Sequence, residues 1–134
     1  MKKNVMTLLS TSLLATMLLM LQSAKSGDDV MTKEYGTYII NTTTLGKNVE
    51  GYNGPTPLKV YIKKNKVVKV EPLKNMETPK YFAMVKKSLM NKWNGMSTKD
   101  AASKHVDAVT GATYSSEAVV KNVKLAIDYY NAHK

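Results

Sequence analysis

The stretch Leu58-Lys-Val-Tyr-Ile-Lys-Lys-Asn-Lys-Val-Val-Lys-Val70 carries the clearest structural signal in the chain. Apolar and polar residues alternate on both sides of a central Lys64-Asn65-Lys66, which tolerates the left-handed backbone conformation of a tight turn. This pattern predicts a β-hairpin over about 58–70, with Val68 and Val70 on the inner face. Lysines occupy the solvent-exposed face, where they discourage edge-to-edge association: Lys59, Lys63 and Lys69.

The segments around the hairpin complete an α+β domain. Residues 27–35 are polar and are expected to be irregular, whereas the β-branched and aromatic content from Tyr35 to Thr44 predicts a strand. Apolar residues at helical spacing predict helices over about 79–94 and 115–132, with a short helical turn between them. Thr78-Pro79 is a typical helix start, in which threonine supplies the cap oxygen. The expected architecture is a small antiparallel sheet packed against these helices.

Residues 1–26 have the layout of a secretory signal peptide. Lys2 and Lys3 precede an uncharged run over 5–21, and small residues follow it. This run approaches the roughly 20 residues of a membrane-spanning helix, so a retained anchor is the alternative to cleavage. Either arrangement exports the remainder, residues 27–134, as a single domain.

Composition excludes several classes of site. The chain has no cysteine, which rules out disulfides, thiolate metal ligands and cysteine nucleophiles. All 20 basic residues are lysine, and the net charge of +10 becomes +7 without residues 1–26. Because arginine is the residue best suited to reading base edges, its absence argues against nucleic-acid recognition. The charge suits an anionic cofactor or acidic protein surfaces.

The segment Asp107-Ala-Val-Thr-Gly-Ala-Thr113 is the candidate chemical site. Gly111 and Ala112 permit a tight turn and leave the Thr113 hydroxyl open directly before the last helix. The unpaired N–H groups of a helix start favour a phosphate on or beside Thr113, with Ser115 and Ser116 as further donors. Alternatively, one of these hydroxyls simply caps the helix. The segment is not a Walker-type loop, because it lacks the spaced glycines and the Gly-Lys pair.

The run from Asp107 to Ser116 resembles the flavinylation motif of the FMN-binding domain family, found in flavin subunits of sodium-pumping quinone reductases and related ferredoxin-linked complexes. The motif is Asp, two variable residues, Ser or Thr, Gly, Ala and the acceptor Thr, and all its fixed positions match. The segments Gly51-Tyr-Asn-Gly-Pro55 and Glu77-Thr-Pro79 are similar to two further family segments, in the same order. Lys80 departs from the family, which often has glycine there.

The resemblance implies that Thr113 carries FMN through a phosphoester. A separate flavin transferase would form this bond from FAD with magnesium and release AMP. No residue of the chain then needs a catalytic or metal-binding role, including His105 and His133. His105 is expected at the surface, and a contact with the phosphate is the alternative. The implied site residues shape the turn, engage the transferase or lie beside the flavin: Asp107, Thr110, Gly111, Ala112, Tyr114, Ser115, Glu77 and Thr78.

The implied function is that of a bacterial electron carrier in the periplasm or on the outer face of the cytoplasmic membrane. Such a carrier passes electrons between redox partner proteins or membrane reductases and is not a stand-alone enzyme. Nearby lysines would stabilise the reduced, anionic flavin and raise its potential. Two alternatives are a non-covalent FMN-dependent reductase and a non-redox envelope binding module with the same fold.

Overall fold

The computed structural model describes residues 30–134, a four-stranded antiparallel sheet followed by helices. The strands lie in chain order and are β1 (Met31–Glu34), β2 (Thr37–Asn41), β3 (Leu58–Lys63) and β4 (Lys66–Pro72). The helical elements are α1 (Pro79–Ser88), a 3-10 turn (Met90–Trp93), α2 (Thr98–Ser103) and α3 (Thr113–His133). The α+β prediction is confirmed, whereas the predicted signal peptide lies outside the described residues.

Two tight turns set the register of the sheet. Tyr35 and Gly36 join β1 to β2 with φ values of 48° and 81°, and Lys64 and Asn65 join β3 to β4 with values of 51° and 59°. Paired left-handed residues match the right-handed twist of the flanking strands. The 58–70 hairpin is therefore confirmed, but the expectation that residues 27–35 are irregular is wrong for β1. This strand has no apolar alternation and is defined by its backbone pairing with β2.

A β-bulge in β4 changes which valines face the core. Tyr61 pairs with Lys69 and Ile62 pairs with Val67, which leaves Val68 as the extra residue. Val67 and Val70 are consequently buried, whereas the Val68 side chain is 48% exposed. The prediction that Val68 faces inward is wrong, because the bulge reverses the alternation at that point.

The helix predicted over 79–94 is divided at Leu89. This residue has φ −113° and ψ −44°, and the chain tightens after it into the 3-10 turn. Because side chains three apart align in a 3-10 helix, Met90 and Trp93 both enter the core. The core lies between one face of the sheet and the helices, and its largest fully buried members are Trp93, Ile40, Leu58, Ile62, Leu89 and Ile127.

The helix α3 begins two residues earlier than the sequence predicts, at Thr113. It packs against the sheet and against α1, which brings the starts of both helices to one end of the molecule. Among residues 30–134, none of the helices has the length and apolar character required to cross a membrane.

Candidate functional site

The first turn of α3 offers unpaired backbone donors. Ala112 is the N-cap residue, and no side chain caps the helix. The Ala112 N–H donates to Val109 O at 3.0 Å, so the N–H groups of the first turn of α3 that have no hydrogen-bond partner within residues 30–134 are those of Thr113, Tyr114 and Ser115. The Thr113 side chain is exposed at this position. A helix start with these donors and its positive dipole end is suited to hold an anion.

The loop before α3 is closed by Gly111 and Ser116. Gly111 has φ +86°, a left-handed conformation that side-chain-bearing residues rarely adopt. The Ser116 hydroxyl accepts a hydrogen bond from Val109 N at 3.0 Å and donates to Ala112 O at 2.7 Å. Ser116 is buried and fully engaged in these bonds. It therefore shapes the turn before Thr113 and is not a free donor for a phosphate.

A buried carboxylate lies behind the first turn of α3. The Glu77 side chain is only 6% exposed. Its Oε2 accepts a hydrogen bond from the Ser115 hydroxyl at 2.9 Å and a longer one from Asn53 N at 3.4 Å. Its Oε1 is buried and has no hydrogen-bond partner within residues 30–134. This oxygen packs against Gly51, where a β-carbon would collide with it.

Glu77 thus ties together segments that are distant in the chain. The loop containing Gly51 and Asn53 and the first turn of α3 both contact its carboxylate. The Ser115 hydroxyl donates its hydrogen to the Glu77 carboxylate, so Ser115 can donate to an anion only through its backbone N–H. These contacts hold the loop and the helix start in fixed positions relative to each other; Glu77 and the residues that contact it are called the floor of the site.

Thr78 occupies the N-cap position of α1, and Pro79 is the first residue of that helix. The Thr78 hydroxyl does not cap the helix but accepts a hydrogen bond from Asn53 Nδ2 at 3.1 Å. The prediction that the Thr78 hydroxyl caps α1 is therefore wrong, because this hydroxyl is turned to the side chain of Asn53 in the neighbouring loop. This bond fastens the 51–54 loop to the start of α1.

An open cavity of about 340 Å³ lies between these segments. Its lining is contributed by the 51–54 loop, the start of α1 and the turn at the start of α3: Tyr52, Glu77, Thr78, Tyr81, Gly111, Ala112, Thr113, Tyr114 and Ser115. The rings of Tyr52 and Tyr114 lie 6.2 Å apart, inclined by 38°, and are 66% and 65% exposed. Tyr81 is 45% exposed. Clustered exposed aromatic side chains around a cavity indicate a ligand site.

The cavity brings together most of the residues that the sequence indicated, from Glu77 and Thr78 to the turn at 111–115. Asp107 and Thr110 are exposed and do not line it. The Asp107 side chain is 92% exposed and lies 3.0 Å from His105, which is itself 87% exposed. An Asp107 so placed does little to hold the turn and is accessible to another protein.

Tyr52 and Tyr81 line the cavity but are not among the site residues that the sequence predicts. Tyr52 lies in the Gly51–Pro55 segment that resembles a segment of the family, so that resemblance could have indicated it. Tyr81 immediately precedes the buried Phe82 in α1, so helical periodicity gives no sign that it lines a cavity. Lys80, where the family often has glycine, is exposed and does not line the cavity either.

The donor set is that of a site for an aromatic, phosphate-bearing cofactor. The start of α3 offers free backbone N–H groups and the Thr113 hydroxyl, and the same cavity is lined by tyrosine rings. FMN fits this combination, since its phosphate suits the helix start and its ring system suits the tyrosines. No group of three histidine, aspartate or glutamate side chains within residues 30–134 is placed to hold a metal ion.

Comparison with known proteins agrees with this class. The family description that matches is the FMN-binding domain, over residues 51–128, and the chain belongs to this family. The chain is also similar to a subunit of the ion-translocating oxidoreductase complex of Shewanella piezotolerans, with 34% identity over 100 residues. That alignment covers 63% of this chain and 46% of the relative, so the chain spans about half the length of the relative. No solved structure matches significantly.

Proposed function

We propose that this protein is an exported electron carrier that holds one FMN through a phosphoester on Thr113. The observation that carries the proposal is the position of Thr113, whose exposed side chain lies in an uncapped helix turn at the edge of an aromatic cavity. The family membership and the full motif from Asp107 to Thr113 support the same assignment.

Attachment requires a flavin transferase that uses FAD and magnesium. The Thr113 oxygen bonds to the FMN phosphorus of FAD while the pyrophosphate bond breaks, the hydroxyl proton passes to the transferase, and AMP leaves. The backbone N–H groups of the first turn of α3 would hold the resulting phosphodiester. Asp107 is exposed beside the turn, where it is available for recognition by the transferase.

Intact mass measurement tests the attachment. The protein is co-expressed with a flavin transferase and compared with Thr113→Val and Thr113→Ser. Wild type and the serine variant should gain an FMN-sized mass, whereas the valine variant, which keeps the shape but has no hydroxyl, should gain none. Persistence of the increment in Thr113→Val would overturn the assignment. Flavin that is lost on denaturation would instead indicate the non-covalent reductase.

Electron carriage is the role that FMN supplies here, because a bound flavin exchanges one or two electrons. The similar Shewanella protein is described as belonging to an oxidoreductase complex, which supports redox partner proteins at a membrane for this chain too. Reversible bleaching and recovery of the flavin absorbance, with no turnover of small acceptors, is the expected behaviour. A protein that is colourless when purified from its native host would favour the non-redox binding module.

Export is proposed from residues 1–26, whose composition is that of a signal peptide or anchor. Cell fractionation and the N-terminal sequence of the native protein test this. Recovery in the periplasmic or membrane fraction is expected, with a new N-terminus after Ser23, Ala24 or Ser26 if the leader is cleaved. Full-length protein in the cytoplasm would refute export.

A further inference from the structure

Glu77 is an unusual neighbour for an electron-accepting cofactor. Its carboxylate is buried in the wall of the cavity that contains Thr113. Within residues 30–134, its oxygens form no ion pair with a lysine or histidine. No cationic side chain among the described residues therefore lies within ion-pair distance of this carboxylate.

Helix dipoles and hydrogen bonds stabilise this carboxylate in its position. It directly precedes Thr78, the N-cap residue of α1, and it contacts Ser115 in the first turn of α3, so the positive ends of two helices converge on it. Hydrogen bonds from Ser115 and Asn53 fix its Oε2. Its Oε1 is buried against Gly51 and cannot contact a ligand in the cavity. Through this oxygen, Glu77 can therefore act on a ligand only by the electric field of the carboxylate.

We propose that the Glu77 carboxylate lowers the reduction potential of the flavin held at Thr113, an inference that rests on the function proposed above. Reduction adds negative charge to the flavin, and a nearby like charge disfavours that change. The effect of a buried charge is screened little by salt, whereas the effects of exposed lysines are strongly screened. Glu77 therefore opposes the increase in potential that the lysine-rich composition predicts.

The test compares the flavin potential of four flavinylated proteins by equilibration with a redox dye. Glu77→Gln removes the charge and keeps the shape and the acceptor for Ser115. Glu117→Gln is the matched control, because Glu117 is exposed on α3 one turn after Thr113. Ser115→Ala breaks the hydrogen bond to Glu77 but leaves its charge.

At a fixed potential, Glu77→Gln should increase the ratio of reduced to oxidised flavin about tenfold, which is about 30 mV for a two-electron couple. This shift should persist at high salt. Glu117→Gln should shift the ratio much less, and Ser115→Ala should leave it unchanged or lower it. A Glu77→Gln shift no larger than that of Glu117→Gln, or an equal shift in Ser115→Ala, would overturn the proposal.

Two further measurements keep the outcomes distinct. Fluorescence of Trp93, the only tryptophan and a buried one, reports whether each variant is folded. Glu77→Met also removes the charge and replaces the glutamine variant if that variant does not fold. If the variants are flavinylated but their potentials do not differ from wild type, only the role of Glu77 is refuted. If wild type acquires no FMN, the proposed function is refuted as well.

Discussion

Replacing Gly51 by alanine would place a β-carbon in collision with Glu77 Oε1 and at 2.9 Å from Glu77 Cδ, whereas ordinary contact begins at 3.4 Å. The whole carboxylate must therefore move, and the 2.9 Å bond from the Ser115 hydroxyl breaks. A hydrogen bond to a charged group contributes about 1.5–3 kcal/mol, and a poorly solvated carboxylate adds to the loss. We expect Gly51→Ala to lower the free energy of unfolding by about 3 kcal/mol.

A double-mutant cycle isolates the cause. The backbone of Gly51 is outside the left-handed region, so alanine introduces no conformational strain there. In a Glu77→Ala background the collision with the carboxylate is gone, and adding Gly51→Ala should cost less than about 1 kcal/mol, since only a 3.1 Å approach to Thr56 Cγ2 remains. The coupling energy should therefore be about 2 kcal/mol or more.

Urea unfolding followed by Trp93 fluorescence measures all four proteins of the cycle. The indole is 2% exposed, so its emission should change on unfolding. The same proteins can be offered to a flavin transferase, and under the proposed function Gly51→Ala should be flavinylated more slowly because the carboxylate that contacts Ser115 has moved. Additive free energies in the cycle would refute the close packing of Gly51 against Glu77.

Four other substitutions test the structure. Ser115→Ala should lower the free energy of unfolding by about 2 kcal/mol in urea, because it removes the donor to the buried carboxylate; an unchanged midpoint would contradict that bond. The free energy of unfolding of Val68→Lys should be within about 0.5 kcal/mol of wild type, whereas Val67→Ala should lower it by about 2 kcal/mol. Equal losses of free energy in the two variants would contradict the bulge. Burial raises the pKa of Tyr130, so its neutral phenol stabilises the fold below pH 10.0, and this stabilisation is lost as pH rises through the raised pKa. Tyr130→Phe loses the 2.6 Å bond to Asn65, about 1 kcal/mol at neutral pH, and should be less sensitive to alkali than wild type; equal alkaline sensitivity would contradict this.

Much of the fold could be predicted because it depends on local patterns. The alternation around Lys64-Asn65-Lys66 specifies a hairpin, and apolar spacing specifies α1 and α3, since both patterns follow from backbone geometry over a few residues. The spacing of the segment ending at Thr113 predicts an open hydroxyl beside a helix start, with a simple helix cap as the alternative, and the resemblance to the family implies the flavin attachment there. The motif did not reveal that Thr113 is already the first residue of that helix.

Features that depend on contacts between distant residues could not be predicted. The bulge at Val68 is a property of two strands together, and periodicity within β4 alone does not contain it. The floor of the cavity joins Ser115 to Glu77 across 38 positions and Glu77 to Asn53 across 24. Which hydroxyls remain available to a ligand depends on these pairings.

The sequence by itself determined that the chain forms a hairpin and helices and that Thr113 lies next to the start of the last helix, because those are properties of neighbouring residues. Tertiary packing decided that a buried carboxylate contacts Ser115 in the first turn of α3 and that the rings of Tyr52 and Tyr114 lie 6.2 Å apart beside the same cavity. The reason is physical: a collision, a hydrogen bond or an unneutralised charge exists only once separate segments are brought within a few ångströms.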